Sequence, residues 1–346
     1  MLIKMIHKIL ILVVAVVLAT EVHSREIVSI IGVGDIMLGT NYPSKRYLPS
    51  NQGRDLMKNV ESILNNADVT FGNLEGTILN TKGPARKNCK NCYSFRMPEY
   101  LADNLVRAGF DVLSIANNHI MDFGKKGLKN TKRVLKAKGI YAAGVNSQKS
   151  VIFRKGGITY GFAAFAPNMG TVKLTKIKKA QKIVRQLARN SDIVIVSFHG
   201  GAEGVANQHV KKQTEYFYGE NRGNVYKFAH SVIDAGADIV FGHGPHVTRA
   251  VEVYKNRFIA YSLGNFCTYG RFNLDGAAGV APIIKVNVTR KGRFVKAKIT
   301  PIKQRYWKGV FYDRKKRAIT KIRKLTKADG FLHNITIDRD GVIKKL

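Results

Sequence analysis

Along the chain, stretches with apolar residues at helical spacing alternate with short β-branched runs that are apolar almost throughout. Leu56, Val60, Ile63 and Leu64 mark a helix within residues 53–66, followed by the run DVTFGNLE at 68–75. Residues 98–108 read as a second helix, with Pro98 near its start and Gly109 past its end, ahead of DVLSIANNH at 111–119. A basic amphipathic helix at 175–188 feeds DIVIVSFH at 192–199, and a helix at 224–235 feeds DIVFGHGPH at 238–246. An opening strand at 27–33 obeys the same rule and ends at Asp35. Downstream, 251–254 and 258–262 predict a hairpin across Lys255, Asn256 and Arg257. A second hairpin is expected from 282–288 and 294–301 around Arg290, Lys291 and Gly292.

Helices alternating with strands apolar on both faces indicate an α/β sheet covered on both sides, and the later hairpins make the sheets mixed. In such sheets functional groups gather beyond the carboxyl ends of the strands. Here the strand ends deliver Asp35, Asn73 and Glu75, Asn118 and His119, His199, and His243 with His246. A lone histidine at a strand end is ordinarily a capped or core residue; five polar endings in register constitute a candidate shared site. Gly32, Gly34, Gly72, Gly76, Gly242 and Gly244 flank them and permit sharp turns and room for an anion. Oxygen and imidazole donors without thiolates suit one or two divalent ions, with Mn, Fe or Zn favoured over Mg or Ca. His119, close in sequence to Asp122, is the natural general acid. No P-loop or GxSxG elbow occurs, and Met37 stands where an aspartyl-phosphate mechanism would want a second Asp.

Composition adds a compartment and a partner. Lys4, His7 and Lys8 precede an apolar run at 9–19 and modest side chains near Ser24, the layout of a secretory signal over residues 1–24. The alternative is an uncleaved N-terminal anchor; either way export is expected, to the periplasm, cell surface or medium. The chain carries 58 Lys and Arg against 23 Asp and Glu, a net charge of +35. That suits an acidic polymer or a membrane surface, or else it solvates a basic surface. No nucleic-acid module is recognisable, so no nucleic-acid partner is expected. Cys89 and Cys92 form a single CxxC, too little for a zinc ribbon but compatible with a local disulfide; Cys267 stands alone. From Arg305 the chain turns basic, which reads as a surface extension over 305–346 or as a packed terminal helix with a solvated face.

The motifs GDIMLG at 34–39, GNLEG at 72–76, ANNH at 116–119 with Asp122, SFH at 197–199, GHGPH at 242–246 and YSLGNF at 261–266 together resemble those of the CapA/PgsA-type capsule (poly-γ-glutamate) biosynthesis family. Glu203 fits the same series. The resemblance implies a calcineurin-like metallophosphatase sandwich of two mixed β-sheets flanked by helices, over residues 25–304. It implies a role in making, exporting or retaining an anionic polymer, with that polymer or its precursor, the membrane surface or a membrane synthase complex as partners. By position it makes Asp35, Glu75, Asn118, His199, His243 and His246 metal ligands, His119 with Asp122 the catalytic pair, and Asn73, Glu203 and Asn265 substrate-binding residues. Two departures stand out: Met37 occupies the position of a metal-binding histidine of the wider superfamily, and Gly200 that of a tryptophan after His199. Three functions follow as expectations: a metal-dependent phosphoesterase or hydrolase acting in capsule biosynthesis, a non-catalytic basic scaffold, or a general secreted phosphoesterase.

Overall fold

A computed structural model describes residues 27–87 and 92–346. The expected signal segment and Cys89 lie outside the described residues; Cys92 is disulfide-bonded, and Cys267 is a buried free thiol.

The strands that matter are β1 (Ile27–Met37), β2 (Val69–Leu74), β3 (Val112–Ser114), β4 (Tyr141–Ala143), β5 (Ser150–Lys155), β6 (Ile158–Phe165), β7 (Ile193–His199) and β8 (Ile239–His243). They continue as β9 (Val251–Tyr254), β10 (Arg257–Ala260), β11 (Asn265–Thr268), β12 (Val280–Thr289), β13 (Phe294–Arg305), β14 (Gly309–Tyr312), β15 (Ile335–Ile337) and β16 (Val342–Lys345). A ten-stranded sheet runs β15-β16-β13-β12-β1-β2-β3-β4, with β11 beside β1 and β14 beside β13. A six-stranded sheet runs β9-β10-β8-β7-β6-β5. Both are mixed: β1, β2, β3 and β4 are parallel while β12 and β13 are antiparallel, and β6, β7, β8 and β10 are parallel with hairpin partners outside.

Strand alternation sorts the core into three layers. Ile30, Phe71 and Val112 of the large sheet meet Phe162, Ile195 and Phe241 of the small one in the middle layer. Their neighbours Ile31, Val33 and Leu113 face outward onto α2 (Ala102–Arg107) and α3 (Gly124–Ala137), which supply Leu105, Val134 and Leu135. Val194, Val196 and Phe198 face α4 (Ile177–Ala188) and α5 (Val225–Ile233), which supply Ala180, Val184 and Phe228. The result is a helix–sheet–sheet–helix sandwich, as the resemblance implies.

Several local expectations differ. The helix expected at 53–66 is reduced to α1 (Glu61–Leu64) after a run of turns. Asn51 and Gln52 sit in left-handed conformation just before it, and Leu56, Met57 and Val60 still reach the core from turns. Helix α3 was not expected: Gly124, Gly127 and its lysines dilute the apolar signal, although Val134 and Leu135 are buried. The β5–β6 hairpin was also missed, its turn being the pair Gly156 and Gly157. The basic segment after Arg305 takes the packed form. In α6 (Arg317–Ala328), Ala318, Ile319 and Ile322 are buried, while β14 and β16 pair with β13.

Candidate metal centre

The strand ends converge because the strands are in register. Asp35 pairs with Asn73 across β1–β2 and with Asn265 across β1–β11, and His243 pairs with His199 across β8–β7. Close backbone approach makes this possible. The Asp35 N–H donates to the Gly264 carbonyl at 2.9 Å, and a Cβ on Gly34 would lie 1.9 Å from that oxygen.

At the centre, Asp35, Glu75 and His246 present ligand atoms that all lie within 4.8 Å of one another. Asp35 and Glu75 are fully buried. His246 follows the β8 end on a left-handed backbone with φ of 57°, the kind of local strain that a functional position retains. Its Nδ1 lies 3.0 Å from Asp35 Oδ2 and 3.2 Å from Asn265 Oδ1, and its Nε2 lies 3.5 Å from Glu75 Oε1.

Several buried polar atoms lack any hydrogen bond: both carboxylate oxygens of Glu75, Nε2 of His199, whose ring lies 6.1 Å from that of His246, and Oδ1 of Asn118, next in sequence to His119. Buried acceptors left without partners are costly, on the order of 1–3 kcal/mol each. Those of Glu75 and His199, oxygen and imidazole nitrogen at the cluster, fit a divalent cation as their common partner. Asp35, Glu75 and His246 would hold it, with His199 beside them.

His243 is placed differently from a ligand. Its Nε2 lies 3.1 Å from the Val33 carbonyl and its Nδ1 3.3 Å from Ser197 Oγ, so both ring nitrogens face protein partners. It braces β8 against β1 beneath the cluster. Asn73 and Asn265, expected to touch substrate, are buried and orient ligands instead. Asn73 Nδ2 donates to Asp35 Oδ1 at 2.8 Å, and Asn265 Oδ1 contacts His246 while its Nδ2 donates to the Ala278 carbonyl at 3.2 Å. Sequence reading passed over Asn117, whose Nδ2 donates to Asn73 Oδ1 at 3.1 Å and to the Leu74 carbonyl at 2.9 Å. Its signal was the doubled asparagine before His119, of which only the second was taken.

His119 and Asp122 form the second part of the site. Nδ1 of His119 lies 2.8 Å from Asp122 Oδ2, and its Nε2 lies 3.9 Å from Glu75 Oε1. Asp122 also accepts the Phe95 N–H at 2.8 Å and meets Lys87 Nζ at 3.0 Å. Lys87 was not foreseen, lying in a run of lysines with nothing to distinguish it. Glu203 flanks the cluster from a loop, where Arg222 donates to its Oε1 at 2.9 Å. That loop is anchored by a buried ion pair: Arg249 donates to Glu215 through two nitrogens at 2.8 and 2.7 Å. Gly200 leaves no room for an indole, since a Cβ there would lie 2.8 Å from the Arg222 carbonyl. Met37 is buried in the core, and its sulfur accepts the Gly39 N–H at 3.3 Å.

The electrostatics separate the groups. Burial opposes ionisation of Asp35, but the His246 hydrogen bond and the surrounding imidazoles hold it well below the usual carboxylate range. Burial raises Glu75 well above that range, with Asp35 and Glu203 adding to the effect. His246 is pushed up to about 10, because Glu75 and Asp35 outweigh its burial. Burial lowers His199 well below the ordinary imidazole value and lowers His243 as well. Burial also lowers His119, with Asp122 opposing and Lys87 reinforcing the shift.

A sandwich of two mixed sheets thus gathers carboxylate and imidazole groups at its strand ends. A sequence profile of the bacterial capsule synthesis protein PGA_cap family matches residues 29–269, and the chain belongs to that family. It is 31% identical over 255 residues to the capsule biosynthesis protein CapA of Bacillus anthracis, covering 68% of this chain and 58% of that one, so it spans less than two thirds of that relative's length. It is 30% identical over 301 residues to the PGA biosynthesis protein CapA of Bacillus subtilis, covering 82% and 73%. Among solved structures, a hypothetical protein from Thermus thermophilus aligns with a TM-score of 0.48 and 15% identity, over 80% of this chain and 100% of that one.

Proposed function

We propose that this protein is an exported capsule-biosynthesis enzyme with a metal-dependent phosphoesterase or hydrolase-type site, acting on an anionic polymer of the poly-γ-glutamate kind or on its precursor. The observation that carries the reading is the convergence of Asp35, Glu75 and His246 amid buried acceptors that lack hydrogen bonds. Family membership supports the capsule role, and the names of the two Bacillus relatives agree with it. The signal-like residues 1–24 support export, and no helix among the described residues is long and apolar enough to cross a membrane.

A bound divalent ion would supply Lewis-acid polarisation and a hydroxide near neutral pH. The chain's own residues do the rest. Asp35 is fixed by Asn73, and His246 is fixed by Asp35 and Asn265, so the donor set is preorganised. Asp122 orients His119 by accepting from its Nδ1, leaving Nε2 toward the cluster to hand a proton to a leaving group. Phe95 packs against the His119 ring at 4.3 Å between centroids and screens it from water.

The test is turnover of a nitrophenyl phosphate monoester and a bis-nitrophenyl diester by the full chain reconstituted in turn with Mn, Fe and Zn. Metal-dependent turnover that falls by about 100-fold or more in His119→Ala is expected. Absence of turnover with every metal would remove the phosphoesterase reading.

A further inference from the structure

Helix α3 leaves the site directly, since it starts two residues beyond Asp122. It carries Lys125, Lys126, Lys129, Lys132, Arg133 and Lys136 and no acidic residue. Arg133 pairs with Glu99 at 2.8 Å, whereas the five lysines form no ion pair with a carboxylate among the described residues. A groove of about 740 Å³ lies between this helix and β4, walled by Lys129, Lys132, Arg133 and Lys136 on one side and by Tyr141 and Gln148 on the other. The spacing 129, 132, 133, 136 places all four cations on one helix face, about 5–6 Å apart.

We propose that this groove is a docking track for an extended polyanionic polyamide, a chain whose repeating carboxylates pair with the α3 lysines while its amides face the opposite wall. The inference rests on the capsule-polymer reading above and assigns that polymer a place. Two features favour a polyamide. Strand β4 ends the ten-stranded sheet, so its outer edge lacks a neighbouring strand. Gln148 Nε2 donates to the Ala142 carbonyl at 2.6 Å, leaving Oε1 as a further acceptor for an amide N–H. A lipid surface is a poorer match, because interfacial helices set large apolar side chains beside their cations, and the exposed positions of α3 are lysine and arginine apart from Ala137.

The track also leads to the site. From Lys136 to Gly124 the helix spans about 18 Å at 1.5 Å per residue. Beyond its start, the Arg86 N–H donates to the Asp122 carbonyl at 2.7 Å and Lys87 Nζ meets Asp122 Oδ1 at 3.0 Å. The lysine-bearing helix thus leads from the groove toward its start, and Lys87 meets the His119–Asp122 pair just beyond.

The experiment is fluorescence-anisotropy titration of the full chain with fluorescein-labelled poly-γ-glutamate over a salt series. The variant K129E/K132E/K136E is compared with K178E/K179E/K182E, the same charge change on α4. The α3 variant is expected to bind about tenfold more weakly or worse at low salt and to show a shallower salt dependence; the α4 variant should stay within about twofold of the parent. Equal weakening in both variants, or none in the α3 variant, would overturn the track. So would α3-dependent binding to phosphatidylglycerol vesicles that exceeds binding to the polymer. Metal content and nitrophenyl phosphate turnover, measured on the same samples, should be unchanged in the α3 variant. Polymer binding through α3 without phosphoester turnover would leave the track standing and remove only the catalytic reading.

Discussion

His119 sits beside the ligand cluster without belonging to it, so its loss separates chemistry from metal binding. In His119→Ala, metal content should match the parent while turnover falls by about 100-fold or more; loss of the metal instead would assign His119 to the donor set. His246 behaves in the opposite way. Held up to about 10, it carries a proton at neutral pH that an incoming cation must displace. Metal affinity of stripped protein should therefore rise with pH, with protons released from His246 and from the raised Glu75, as calorimetry in buffers of different ionisation enthalpy would show. The linkage to stability has the matching sign. With its value raised above the ordinary imidazole value, His246 stabilises the stripped fold fully below about pH 6.5, and that contribution is lost as pH climbs through about 10. At this scale the sequence was informative about which residues meet and poor about what each does. Asp35, Glu75, His119, His199 and His246 all reach one place. Asn73, Asn265 and His243 carry the same polar chemistry but turn their donors and acceptors onto neighbours, and only side-chain direction separates the two roles.

Among the elements, four of the parallel strands, β2, β3, β7 and β8, were legible as apolar runs each announced by an aspartate. The Oδ2 atoms of Asp68, Asp111, Asp192 and Asp238 accept the backbone N–H of Ser29, Thr70, Thr159 and Val194, tying each strand start to its neighbour at 2.8–2.9 Å. The two-residue turn of the β9–β10 hairpin was legible for a similar reason: Lys255 and Asn256 take the positive φ that such a turn requires. Helix α3 and the β5–β6 hairpin were not, because lysines and glycines hide a short apolar stripe that only tertiary packing reveals. The loop bearing Glu203 depends on the Arg249–Glu215 pair, buried on both sides. Arg249→Met, which strands the carboxylate, should cost about 3–5 kcal/mol in urea unfolding, whereas an effect below about 1 kcal/mol would show that the loop holds without it.

For the whole molecule, the two sheets and the charge have separate duties. The sandwich brings distant strand ends together: Asp35 and His246 lie 211 residues apart in sequence yet meet at 3.0 Å. The net charge of +35 is spread over helices, strands and loops, and its expected signature is polymer binding that weakens as salt screens it. The central claim remains the metal. Elemental analysis of the full chain, purified without chelator and then reconstituted, tests it most directly, with Asp35→Ala and His243→Gln prepared alongside. One or two equivalents of Mn, Fe or Zn in the parent and in His243→Gln, absent from Asp35→Ala, are predicted. A parent that holds no metal after reconstitution, or an Asp35→Ala protein that holds it undiminished, would contradict the account.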